Sequence, residues 1–179
     1  FENLATTCGV QRQRIFLVPG NHDVDRKAVN TDAQEALNAK ADKPREYENI
    51  INQRFEDKTR EQLDAFERLA PYGTFIEQQF AHHHDPDGRH VYAVCTDING
   101  LCIGIGGFNS AWSCSGPEDD RHIWLAAQWQ FNHVQRELQK ADLRIGLMHH
   151  PVDWLNEAER DVSTRRIASD YQFWLHGHS

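Results

Sequence analysis

Apolar residues in this chain come in short blocks separated by long polar stretches, and the spacing within each block predicts an element. Arg14 to Val18 (RIFLV) predicts a short buried strand, which Pro19-Gly20 turns into the polar triplet Asn21-His22-Asp23. The first ten positions read as the tail of a helix leading into that strand, and residues 31–43 are polar and helix-prone. Thr59 with Gln62 makes a capping-box pattern, and Leu63, Phe66 and Leu69 form one apolar stripe. Pro71 and Gly73 interrupt the stripe, after which Phe75, Ile76, Gln79 and Phe80 continue a helical face. Two β-rich runs between His90 and Phe108 flank Asn99-Gly100, the signature of a hairpin. NSAWSCSGPEDD (109–120) is a loop, and Trp124 to Lys140 predicts a helix with Leu125, Trp129 and Val134 inward. Leu143–Met148 predicts a buried strand running into His149-His150-Pro151, followed by a second helical segment and a strand over Tyr171–Leu175. The alternation predicts a layered, mixed α/β domain.

Length and composition narrow the function classes. At 179 residues the chain fits one domain (1–179) with a core of its own. Neither end falls in a polar linker, so the chain reads as a fragment cut at both sides. The net charge of -8 argues against a broad nucleic-acid-binding face, while leaving room for a local site that takes a phosphate. No apolar run approaches a membrane span. The four cysteines form no CxxC pair and suggest neither a zinc knuckle nor a disulfide framework, which predicts a reduced, cytoplasmic setting. Eleven histidines are an unusual number for this length.

Those histidines fall in a pattern. Three short apolar strands empty into metal-type ligands beside Gly or Pro: Asn21-His22-Asp23, His149-His150 and His176-Gly177-His178. In open α/β sheets ligands bind at the C-terminal strand ends. Imidazole is the commonest transition-metal ligand, and the Asn oxygen suits a harder divalent ion. A single His at a strand end is usually a hydrogen-bonded structural residue, and Asn or Asp there caps helices and closes turns. Three such clusters at equivalent ends favour a shared metal centre.

GNHD at Gly20–Asp23, HHP at His149–Pro151 and the Gly177-His178 pair, in this order, resemble the calcineurin-like metallophosphoesterases. The VPGNHDVDR form, the NSAW loop and the helix with Gln128 are similar to a bacterial branch in which this is one domain of a larger protein. The resemblance spans nearly the whole chain. It implies a four-layer αββα sandwich, incomplete here at both ends, that hydrolyses a phosphomonoester, phosphodiester or nucleotide with two divalent ions (Mn, Fe or Zn). It implies Asn21, His149 and His178 as metal ligands, His22 as the group that contacts phosphate and protonates the leaving group, and Asp23 as the carboxylate that orients His22. A helix N-cap is the competing role for Asp23, and His150 and His176 read as structural neighbours of ligands. The family's D-x-H and G-D motifs do not precede Gly20, and the closing motif stops at Ser179 before its second His. The resemblance therefore implies weak metal binding and no activity for these residues alone, and activity in a parent chain with further domains.

Other features are weaker. HHHD (His82–Asp85) has the composition of a metal site but reads as a solvated loop, and Asp57, Lys58 and Arg60 read as a solvated helix face. NSAWSCSG lacks the G-x-S-x-G elbow, and its residues are assigned to packing near the rim of the site. Two classes result: a metal-dependent phosphoesterase, or a metal-poor relative of the same fold kept as a binding or scaffold module. The intact Asn21-His22-Asp23 triplet favours the enzyme, since a scaffold has no use for His22.

Overall fold

The computed structural model describes residues 7–57, 65–116, 119 and 122–178. Its centre is one four-stranded sheet in the order β1 (Tyr92–Ile98), β2 (Leu101–Phe108), β3 (Leu143–Met148) and β4 (Phe173–His176). β1 and β2 are the expected antiparallel hairpin, closed between Ile98 and Leu101 by Asn99 and Gly100, at φ 55° and 83°. Both central residues at positive φ is the turn whose twist matches the flanking strands. β3 and β4 add in parallel to β2. Parallel neighbours need crossovers, and helices supply them: α4 (Ala127–Glu137) between β2 and β3, and α5 (Glu157–Asp170) between β3 and β4.

Register sorts the sheet into two faces. Gly104, Gly106, Phe108, Gly146, Met148 and Trp174 share the face on which α4 lies. A Cβ at Gly106 would stand 2.5 Å from Val134 Cγ1, so glycine there sets how closely helix and sheet approach. Phe108, Phe131, Tyr171 and Trp174 fill this layer ring against ring. On the opposite face the register aligns Tyr92, Val94 and Ile98 with Leu101, Ile103 and Ile105, then Ile145 and Leu147, then Phe173 and Leu175. Among these, Ile98, Leu101, Phe173 and Leu175 are 43–55% exposed, an apolar face that the described residues leave open over that part.

Before the sheet come α1 (Thr31–Ala41), α2 (Pro44–Asp57) and α3 (Ala70–Gln79). α1 starts at Asn30, whose side chain caps the Ala33 amide. α2 went unread in the sequence, although Pro44 opens it and Ile51 and Phe55, one turn apart, bury one stripe. Of the 59–69 stripe, Thr59, Gln62 and Leu63 lie outside the described residues, as do Lys58, Arg60 and positions 1–6; Phe66 and Leu69 are buried as expected. The break falls at Arg68–Leu69, and Pro71 opens α3. Gly73 lies inside that helix because the His90 ring passes 2.9 Å from where its Cβ would be.

Two expectations are corrected. Arg14–Val18 is not a buried strand: Arg12–Arg14 is a 3-10 turn and Ile15 onward is extended but half-buried and unpaired among the described residues. An apolar run supplies extended backbone; a strand also needs a hydrogen-bonded neighbour. The helix expected from Trp124 begins at Ala127, because Ala126 takes φ 59° and breaks the helical path. Leu125 and Val134 are fully buried as expected, whereas Trp129 is half-buried. All four cysteines are free, and no helix among the described residues is long and apolar enough to cross a membrane.

Candidate metal centre

Three segments meet at the C-terminal end of the sheet. The first is the 3-10 turn Asn21–Asp23, closed on itself because the Asp23 carboxylate accepts the Gly20 amide proton at 2.9 Å. The Asp25 amide donates to the Arg68 carbonyl at 2.8 Å and ties this turn to the helical layer. The second is the loop after β3, where His149 and His150 precede the 3-10 turn Val152–Trp154. The third is the end of β4, where the Gly177 amide donates to the His149 carbonyl at 3.0 Å. His178 follows in the left-handed region at φ 52°, a conformation that costs a residue with a side chain and turns its ring back over the β3 loop.

The side chains converge. His149 Nε2 lies 3.1 Å from Asn21 Oδ1 and 3.3 Å from His178 Nδ1. One ring nitrogen from each of His149, His150 and His178 falls within 4.8 Å of the others, a grouping found only here among the described residues. Burial, then the neighbouring His178, lowers the His149 pKa, with Asp23 opposing and His22 adding to the shift. Burial drives His150 down to about 3, helped by His149 and His178. Neutral rings present lone pairs, and one imidazole proton on His149 Nε2 can serve one of its two neighbours fully.

This donor set fits a divalent ion. Two ligand atoms about 2.1 Å from one ion lie roughly 3.0–3.4 Å apart, depending on geometry, and His149 Nε2 stands at that spacing from both Asn21 Oδ1 and His178 Nδ1. Asn21, His149 and His178 would hold such an ion. His150 is better described as a wedge. It is fully buried, its Nδ1 pairs with Ser110 Oγ at 2.8 Å, and its Nε2 faces Cys114 Sγ at 3.9 Å. Its ring stands 4.7 Å from His149 and 5.0 Å from His178 and stacks on Trp154. His22 is exposed on the same turn as Asn21, and Asp23, also exposed, spends one oxygen on the Gly20 amide as a cap. His176 is exposed and bonds the Gly177 carbonyl at 3.1 Å, outside the cluster.

Several contributors escaped the sequence reading. Ser110 follows β2 by two residues as His150 follows β3, so the end of β2 feeds the site as well. Trp154 is four residues beyond His150, and its ring lies 4.2 Å from that of His178. A Cβ on Gly20 would come within 2.8 Å of the His149 ring, so the glycine of GNHD makes room for a candidate ligand. The NSAW segment is buried as packing: Asn109 accepts the amides of Ala111 and Trp112, and Gln130 bonds Asn109 through both its oxygen and its nitrogen.

Comparison with protein-family models, with curated proteins and with solved structures returned no match in any of the three.

Proposed function

We propose that these residues are part of a metal-dependent phosphoesterase of the calcineurin-like type, hydrolysing a phosphomonoester or phosphodiester, nucleotides included. The observation that carries the reading is the convergence of Asn21, from the 3-10 turn at Asn21–Asp23, with His149 and His178, from the ends of β3 and β4, His149 standing at ligand spacing from both. The order GNHD, HHP, GH along the chain supports it. Two divalent ions (Mn, Fe or Zn) would supply Lewis-acid polarisation of phosphoryl oxygens and a nucleophile at neutral pH. His22, exposed beside Asn21, faces solvent where a phosphate would dock, and its role is to contact that phosphate and protonate the leaving oxygen. Asp23 orients His22 by closing the turn that carries it. The fold reading belongs to the same proposal: the sheet is one half of an αββα sandwich, and the exposed face at Leu101, Phe173 and Leu175 is the surface that a second sheet covers.

The test is manganese-dependent hydrolysis of bis-p-nitrophenyl phosphate by the intact natural polypeptide. Turnover that requires metal, falls at least a hundredfold in His22→Ala with metal still bound, and disappears with the metal in His149→Ala supports the reading. A folded polypeptide that is inert with manganese, iron and zinc overturns it in favour of a binding module.

A further inference from the structure

The hydrogen bonds around the His150 ring fix where its proton sits. Cys114 Sγ lies 3.5 Å from the Ser110 carbonyl oxygen, which can only accept, so the thiol spends its hydrogen there. The same sulfur stands 3.9 Å from His150 Nε2, and with its hydrogen committed it meets that nitrogen as an acceptor. Nε2 therefore carries a proton. Nδ1, 2.8 Å from Ser110 Oγ, is then either the second N–H of an imidazolium or the lone pair of a neutral ring. His150, Ser110 and Cys114 are each at most 1% exposed, and both ring partners are uncharged, so an imidazolium here would be a buried cation without a counter-charge. The ring is neutral: the Ser110 hydroxyl donates to Nδ1 and accepts the His150 backbone N–H at 3.3 Å.

The segment carrying both partners is itself pinned. The Cys114 amide donates to the Ala111 carbonyl at 3.0 Å, and the buried Arg68 guanidinium donates to the Cys114 carbonyl at 2.7 Å. Two residues beyond the end of β2 thus reach a ring beyond the end of β3. They also occupy both of its nitrogens. The Nδ1 lone pair is taken by the Ser110 hydroxyl and Nε2 holds the proton, so His150 has no lone pair left for an ion although one of its nitrogens lies within 4.8 Å of those of His149 and His178. What the ring offers the cluster is its bulk, 4.7 Å from the His149 ring and 5.0 Å from that of His178.

We propose, resting on the metal-centre reading above, that Ser110 and Cys114 are positioning residues: they lock His150 in its neutral Nε2–H tautomer, which withholds it from the ion and keeps it as the spacer that sets the His149 and His178 rings. The consequence is an open centre. A third imidazole would take up a coordination position. With His150 withheld, that position is left to water or a phosphate oxygen, as in catalytic metal sites and unlike closed structural ones.

Nitrogen NMR of the intact natural polypeptide with labelled histidine reads the tautomer directly, the His150 signals being those lost in His150→Phe. The expected pattern is a protonated Nε2 and a bare Nδ1, kept when zinc is added, while nitrogens of His149 and His178 respond as ligands. Cys114→Val, which removes the acceptor, is expected to move the ring toward the Nδ1–H form, and Cys114→Ser to preserve Nε2–H. Ser110→Ala is expected to weaken zinc about tenfold by calorimetry, and Ser110→Thr, which keeps the hydroxyl, to restore it. In a His150→Phe background Ser110→Ala is expected to have no further effect, because Ser110 acts through that ring. An Nδ1–H tautomer in the unsubstituted protein, a His150 nitrogen that binds zinc, or an equal loss from Ser110→Ala with and without His150 overturns the proposal alone. A folded polypeptide that takes up no zinc overturns the metal reading, and the proposal with it.

Discussion

At the scale of single residues, the candidate centre depends on one absent methyl group. Gly20 has an ordinary extended backbone, so its conformation does not demand glycine; the His149 ring does. Gly20→Ala places Cβ 2.8 Å from two ring atoms, and the ring must rotate away from Asn21 and His178. The expected outcome is a metal affinity reduced at least tenfold while the melting temperature moves by only a few degrees, compared by zinc titration and thermal melts. Asn21, His149 and His178 were legible as residues that come together, because ligand-type side chains directly after short apolar runs carry their chemistry in their names. Gly20, Ser110 and Trp154 were not, because each acts on the site through a contact between segments distant in sequence or through shape alone. His83 was misread for a related reason: nothing local signals that Phe80 and Tyr92 will enclose it.

At the scale of elements, the clearest case is the start of α4. Its N-cap position, Ala126, has no side chain able to cap. The cap comes from α5: the Glu159 carboxylate accepts the Leu125 and Ala127 amides at 2.5 and 2.8 Å. Glu159 is fully buried, and desolvation outweighs these bonds and raises its pKa to about 7. A carboxyl whose folded pKa exceeds its unfolded value binds its proton more tightly when folded. Its contribution is therefore complete below about pH 4.5, the ordinary value of a glutamate carboxyl, and is lost as pH rises through about 7. Glu159→Gln should remove that component of the pH dependence. It should also cost about 1–3 kcal/mol, since an amide offers one acceptor where two backbone N–H groups need partners. Urea unfolding at pH 5 and pH 7.5 measures both effects, and an unchanged pH slope in the variant would refute the assignment. This also shows why the helix was expected three residues early: periodicity from Trp124 was visible, whereas a cap from the next helix was not. The hairpin was legible for the opposite reason, since Asn99-Gly100 contains its whole instruction locally. Arg14–Val18 failed as a strand because pairing is a property of two segments.

At the scale of the whole molecule, the two faces of the sheet differ in kind. One is sealed by α4 and aromatic rings; the other leaves Ile98, Leu101, Phe173 and Leu175 about half exposed along the outer parts of a twisted apolar surface. Burying apolar area is worth roughly 25 cal/mol per Å², and large exposed patches of this kind mark contact surfaces. The sequence made both faces apolar, and strand periodicity could not say which would be covered. Residues 1–179 alone are accordingly expected to self-associate and to bind a hydrophobic dye. Phe173→Lys with Leu175→Lys changes two positions that share this face on edge strand β4, away from the α4 layer. In residues 1–179 the pair should shift sedimentation toward the monomer and reduce dye binding, with little loss of stability. In the intact natural polypeptide, if a second sheet packs here, the same pair buries two charges and should destabilise it by several kcal/mol. Opposite signs in the two settings would support a covered face; a gain in solubility without a stability cost in both would mean that it faces water, and the sandwich reading would fail with it.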